Sequence, residues 1–116
     1  MYDTIPLGTI AHSRSGDKGN HANVAIIAFN QAGYVWIKQH VTIETVGSYF
    51  KNLGASKVER FEAANVWGLN FMLYDALAGG ASRSLRIDTQ GKALGQAVLA
   101  MQVPKPGNVQ EIKKLF

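Results

Sequence analysis

Ser15-Gly16-Asp17-Lys18-Gly19-Asn20 is the string in this chain whose residue types best suit a ligand-binding turn. Two glycines three positions apart permit left-handed backbone and the close approach of a ligand. Successive N–H groups in such a turn can cradle an anion, with Lys18 as a point charge and Asp17 as the carboxylate that steadies it. It is no P-loop: Gly-x-x-x-x-Gly-Lys-Ser/Thr is absent and no helix is expected to follow. The same residues also suit a plain hairpin loop in which Asp17 and Asn20 bond their own backbone.

A second string, Gly79-Gly80-Ala81-Ser82-Arg83-Ser84-Leu85-Arg86-Ile87-Asp88, places two arginines three apart with hydroxyls between them. Arg83 and Arg86, with Ser84 and the nearby Lys92, suit a clamp for a carboxylate or phosphate, since guanidinium offers a planar donor fork. The alternative is a pair of structural ion pairs, with Glu62 and Asp88 neutralising these arginines. If the two strings line one site, Asp17 and Arg83 should lie close together.

The three histidines, His12, His21 and His40, offer little for a metal. The first two flank the glycine string and would supply two ligands at most, short of a closed zinc site. No metal and no cofactor are expected. His12 with Ser15 or Asp17 is a conceivable catalytic pair, though no nucleophile elbow accompanies it.

These strings need elements to hold them. Leu7–His12 reads as a strand, followed by turn chemistry from Ser13 to Asn20 and a loop longer than the tight two-residue hairpin type. Asn23–Phe29 is apolar at nearly every position, the pattern of a central strand. Residues 31–53 read as a broken helix, with Thr42 capping its second part and Gly54 ending it in left-handed geometry. Lys57–Ala63 alternates as a strand. Asn65 suits the N-cap of a helix whose stripe is Val66, Leu69, Leu73, Ala76 and Leu77, placing Asn70 and Tyr74 one turn apart. Ser84–Asp88 reads as a strand. Gly91 and Gly95 argue against a helix beyond it, since each would cost about 1 kcal/mol there. A hairpin turned at Thr89-Gln90-Gly91-Lys92 and running on to Val103 is therefore expected. Pro104 and Pro106 close the core, and a short tail helix or a loose end follows.

Composition bounds the answer. A chain of 116 residues with 47% hydrophobic and 17% charged residues suits one globular domain, 1–116, with a core over about 6–103 and a tail over 104–116. So few charges suggest a covered surface, in which Tyr34, Trp36 and Trp67 would be exposed aromatics. Net charge is +4, spread along the chain with no stripe of cations and aromatics, so nucleic acid is not an expected partner. Without cysteine there is no disulfide, thiolate site or Cys nucleophile. The N-terminus lacks a signal-peptide pattern, and no apolar run approaches the roughly 20 residues of a membrane span. A cytoplasmic protein is expected.

Three strings together resemble one family. Ala11-His12-Ser13-Arg14-Ser15-Gly16-Asp17-Lys18-Gly19, Leu69-Asn70-Phe71 and the run from Gly79 to Gln96 are similar to the C-terminal region of the acyclic terpene utilisation protein A (AtuA) family. The likeness spans about residues 6–103. It implies a ferredoxin-like fold, named for its shape and not for an iron–sulfur cluster, whose thiolates are absent. It also implies a bacterial setting of terpenoid or branched-acid breakdown with acyl-CoA chemistry nearby. In that family a larger domain precedes this region, so a stand-alone small domain is expected here. No catalytic residue is implied. Ser15, Gly16, Asp17, Lys18, Gly19, Arg83, Ser84, Arg86, Gln90, Gly91 and Lys92 occupy its most characteristic strings.

The expectation is therefore an α+β sandwich, a mostly antiparallel sheet with helices on one face. It would act as an accessory or binding domain that recognises an anionic small molecule and assembles as a homo-oligomer or with a large subunit. The alternatives are a small enzyme with an interface active site using His12, Asp17 or Lys18, and a purely structural module.

Overall fold

A computed structural model describes residues 3–76 and 93–113. Among these residues the principal sheet has four antiparallel strands in the order β2 (Ala11–Lys18), β3 (His21–Ala28), β5 (Gly68–Tyr74), β4 (Lys57–Ala63). A smaller ribbon pairs β1 (Thr4–Pro6) with β6 (Gln102–Pro104). Among the described residues the helices are α1 (Gln31–His40), α2 (Ile43–Tyr49), α3 (Ala93–Leu99) and a single tail turn, α4 (Val109–Ile112).

Strand alternation assigns the two faces. One carries Val24, Ile26, Leu69, Phe71 and Leu73, all at most 1% exposed, in register across β3 and β5. Every main helix packs on this side. A Cβ on Gly33 of α1 would stand 3.1 Å from that of Ala28, one on Gly47 of α2 would stand 3.7 Å from Val58, and Gly95 of α3 lies against Ser13 and Ser15. The fold is thus the expected α+β arrangement, with helices on one face of an antiparallel sheet. The tail packs rather than dangles, with Ile112 fully buried and Asn30 Nδ2 donating to the Glu111 carbonyl at 2.8 Å.

Of the helix ends read from the sequence, those at Thr42 and Gly54 are present. Thr42 Oγ1 accepts from the Thr45 amide at 3.1 Å, and Gly54 sits at φ +70°. At the other end of this helical stretch Arg60 of β4 donates through Nη1 to the carbonyls of Lys38 and Val41, both at 2.9 Å. A cation there satisfies carbonyls that α1 leaves open and complements its dipole.

Four elements differ from expectation. Leu7–Thr9 is a 3-10 turn, so the strand expected over Leu7–His12 begins only at Ala11. Ser13–Lys18 is strand, not loop: β2 runs to Lys18, opposite His21, and the hairpin turns in two residues, Gly19 at φ +64° and Asn20. Residues 68–74 form β5 rather than a helix, because Leu69, Phe71 and Leu73 bury alternately between β3 and β4. The i, i+4 spacing of Leu69 and Leu73 fits a strand equally well, and Asn65 falls in a short 3-10 turn before it. Residues 94–99 are helix rather than hairpin, Gly95 being required by packing, as described below. The expected strand at Ser84–Asp88 and the turn at 89–92 lie outside the described residues. Of the three aromatics, Trp67 is 38% exposed, Trp36 stacks on His40 with ring centres 4.3 Å apart, and Tyr34 is buried at 4%.

Candidate functional site

Because Ser13–Lys18 is extended, its side chains alternate between faces, and the expected single turn separates into two environments. Ser13, Ser15 and Asp17 share the helix-covered face with Ile26, Val24 and Ala22, while His12, Arg14 and Gly16 share the open face with Ile27, Ala25 and Asn23. Successive N–H groups in a strand point to opposite edges, so this segment does not form an anion-binding nest.

On the covered side β2 meets α3 through a reciprocal pair of bonds. The Gly95 amide donates to Ser15 Oγ at 2.8 Å, and Ser13 Oγ donates to the Gly95 carbonyl. A Cβ at Gly95 would stand 3.0 Å from Ser15 Oγ and 3.3 Å from the Ser15 amide nitrogen. Glycine is therefore the residue that lets the helix sit this close. Beside the seam opens a cleft of about 410 Å³ whose walls include His12, Arg14, Ser15 and Gln96. The structure thus joins Ser13 and Ser15 to Gly95, near the C-terminal end of the run from Gly79 to Gln96.

Ser15 holds α3. Gly16 lies beside Asn23, whose Oδ1 would be 3.4 Å from a Cβ there. Asp17 is exposed, Lys18 ends β2, and Gly19 makes the turn. Arg83, Ser84, Arg86 and Lys92 lie outside the described residues, as does the expected proximity of Asp17 to Arg83. Glu62, one of the acids offered as their alternative partner, is held by Arg60 at 3.1 Å and Lys38 at 3.6 Å.

The histidines do not gather. His12 stands opposite Ile27, six residues along β3 from His21, a separation of roughly 20 Å at strand rise. Flanking one string in sequence, the two could have faced each other across a hairpin, but the length of β2 prevents it. His12 stacks on Phe29, with ring centres 5.6 Å apart. It lies on the opposite face from Ser15 and Asp17, so neither catalytic pair forms within one chain. Among the described residues no group of His, Asp and Glu is arranged to hold a metal ion, and no helix is long and apolar enough to cross a membrane.

The open face carries a network that reading 68–74 as a helix concealed. Asn23 Nδ2 donates to Asn70 Oδ1 at 3.2 Å, joining the two central strands. Tyr74 donates its phenol proton to Glu59 Oε1 at 2.7 Å, under Lys57 Nζ at 5.7 Å from the ring centre. The hydrogen bond to Glu59 holds the Tyr74 phenol above its ordinary range, reinforced by desolvation and the carboxylate's charge. His21 Nδ1 accepts from the Asp75 amide at 2.9 Å, which assigns the ring proton of the neutral form to Nε2. Asp75 itself sits at φ +62° and takes a 2.6 Å bond from Ser56 Oγ. The signal available in the sequence was period two, Asn70, Met72 and Tyr74 alternating with Leu69, Phe71 and Leu73.

No curated protein and no solved structure matches this chain. The family profile of the AtuA ferredoxin-like domain matches residues 5–104, most of the 116 residues. That span includes the strand, seam and open face described above, and the antiparallel α+β architecture is the one the family name describes. The chain belongs to the AtuA ferredoxin-like domain family.

Proposed function

We propose that this chain is an accessory binding domain of an AtuA-type system for terpenoid or branched-acid breakdown. It recognises an anionic group, a carboxylate or a CoA-like phosphate, and assembles with itself or with a separate large subunit. The observation that carries the binding half is the seam of β2 and α3. There, rigid hydrogen bonds fix Ser13, Ser15 and Gly95 beside a cleft that Arg14 lines. Arg14 makes no ion pair with the described residues, which leaves its guanidinium for an oxyanion. A hollow of about 660 Å³ between α2 and Ala100–Gln102 is larger, but Glu44 is its charged wall and would repel an anion. Ser84, Arg83, Arg86 and Lys92, which precede α3 in sequence, are proposed as the further cations and hydroxyl of this site.

Calorimetry with a branched carboxylate and with a CoA thioester tests this. Wild type should bind one of them, and Arg14→Ala, Arg83→Ala or Arg86→Ala should weaken binding about ten- to a hundredfold, the worth of one charged hydrogen bond. No binding by wild type, alone or with a large-domain homologue, would leave the chain a structural module.

A further inference from the structure

We infer that the edge of β4 away from β5, unpaired among the described residues, pairs antiparallel with β4 of a second copy on a two-fold axis through Phe61, making one eight-stranded sheet. This deepens the assembly half of the proposed function and rests on it.

Among the described residues β4 ends the four-strand order, with β5 on its one paired side. An edge strand of seven residues presents unpaired backbone donors and acceptors to any strand of matching pattern. Phe61, near its middle, is 47% exposed, and Glu62 beside it is exposed as well. An aromatic left that open on an edge strand is the group an edge-to-edge partner would cover.

The occupant follows from charge. In an antiparallel pair, directly opposed residues share a face, so only registers shifted by two preserve the buried face on both copies. With Phe61 on the axis, Arg60 and Glu62, already paired within each chain at 3.1 Å, stand opposite Glu62 and Arg60 of the second copy, so the two pairs meet with unlike charges opposed. Phe61 meets Phe61 on the other face, and Glu59 meets Ala63. Moving the axis to Arg60 sets arginine against arginine, and moving it to Glu62 sets glutamate against glutamate. An axis at Val58 does match Lys57 with Glu59, but it overlaps three strand residues where the Phe61 axis overlaps five. Opposed unlike charges favour a cross-strand pair and opposed like charges disfavour it, so the strand selects itself in one register. Such an isologous contact closes at two copies.

The chain has no cysteine, which makes the test specific to register. Directly opposed residues in an antiparallel pair have Cα atoms about 4.5–5.5 Å apart, within disulfide reach. Phe61→Cys should therefore oxidise to a covalent dimer, while Val66→Cys, at a site 52% exposed off the strand, should not. Sedimentation of wild type should show a concentration-dependent dimer, and Glu62→Lys, which needs no refolding of the core, should raise its dissociation constant at least tenfold. A dimer in which Phe61→Cys cross-links no better than Val66→Cys, or that Glu62→Lys leaves intact, overturns the edge pairing while leaving self-assembly standing. A monomer up to the solubility limit overturns both. Neither result bears on calorimetric anion binding, so the two proposals fail separately.

Discussion

The Gly95 amide donates to the Ser15 hydroxyl at 2.8 Å, and this contact is what brings a helix down onto the edge strand. A methyl group at Gly95 would meet Ser15 Oγ at 3.0 Å and Ser13 Oγ at 3.3 Å, inside ordinary contact distance. Two opposing effects decide the outcome of Gly95→Ala. Alanine gains about 1 kcal/mol in helix propensity, and overpacking costs about 1–3 kcal/mol. Net destabilisation is expected, because the crowded atoms include the Ser15 backbone nitrogen. Gly47→Ala is the control, since its methyl would meet Val58 at 3.7 Å, an ordinary contact. Urea melts should show Gly47→Ala gaining up to about 1 kcal/mol and Gly95→Ala losing stability. Equal gains at both sites would contradict the seam.

Arg60 is the second structural anchor. Replacing it by Ala leaves the Lys38 and Val41 carbonyls without their donor and removes the 3.1 Å contact with Glu62. A loss of about 1.5–3 kcal/mol is expected in a denaturant melt, as for a charged hydrogen-bond donor. Lys57→Ala removes a 3.7 Å pair between groups 64% and 37% exposed and an exposed contact over the Tyr74 ring, and should cost less than about 1 kcal/mol. Similar effects from the two variants would remove Arg60 from its capping role.

Tyr74 supplies a pH prediction. Its phenol is held above the ordinary value of 10.0, first by the hydrogen bond to Glu59. The folded chain therefore binds this proton more tightly than the unfolded chain does. The resulting stabilisation is complete below the unfolded value and disappears as pH rises through the raised folded value. A tyrosinate absorbance titration, with Tyr74→Phe subtracted to isolate the residue, should show its midpoint fall toward about 10 in Glu59→Ala. An unchanged midpoint would break the assignment of Glu59 as the cause.

Local signals in the sequence specified part of this fold. Thr42 and Gly54 mark helix ends by chemistry that acts within a few residues, and the apolar run Val24–Phe29 marks a central strand. The elements misread are those that long-range contacts decide. Ser13, Ser15 and Gly16 have turn-like propensities, yet they extend because β3 pairs with them and Gly95 satisfies both hydroxyls. Gly95 weakens an isolated helix, yet only glycine fits against Ser15. The candidate site shared this fate. Its residue types were visible, but a strand's alternation, which sends Arg14 and Ser15 to opposite faces, appears only once the pairing is known.

The central claim is that an anion binds at the seam of β2 and α3. Amide NMR during titration with a branched carboxylate or a CoA thioester tests it most directly. Saturable shifts are expected at Ser13, Arg14, Ser15, Gly95 and Gln96, with Lys57, Glu59 and Tyr74 unmoved. Arg14→Ala should weaken the titration about tenfold or more while preserving the spectrum elsewhere. Shifts centred instead on Glu44–Tyr49, or no saturable shift with either compound, would contradict the account.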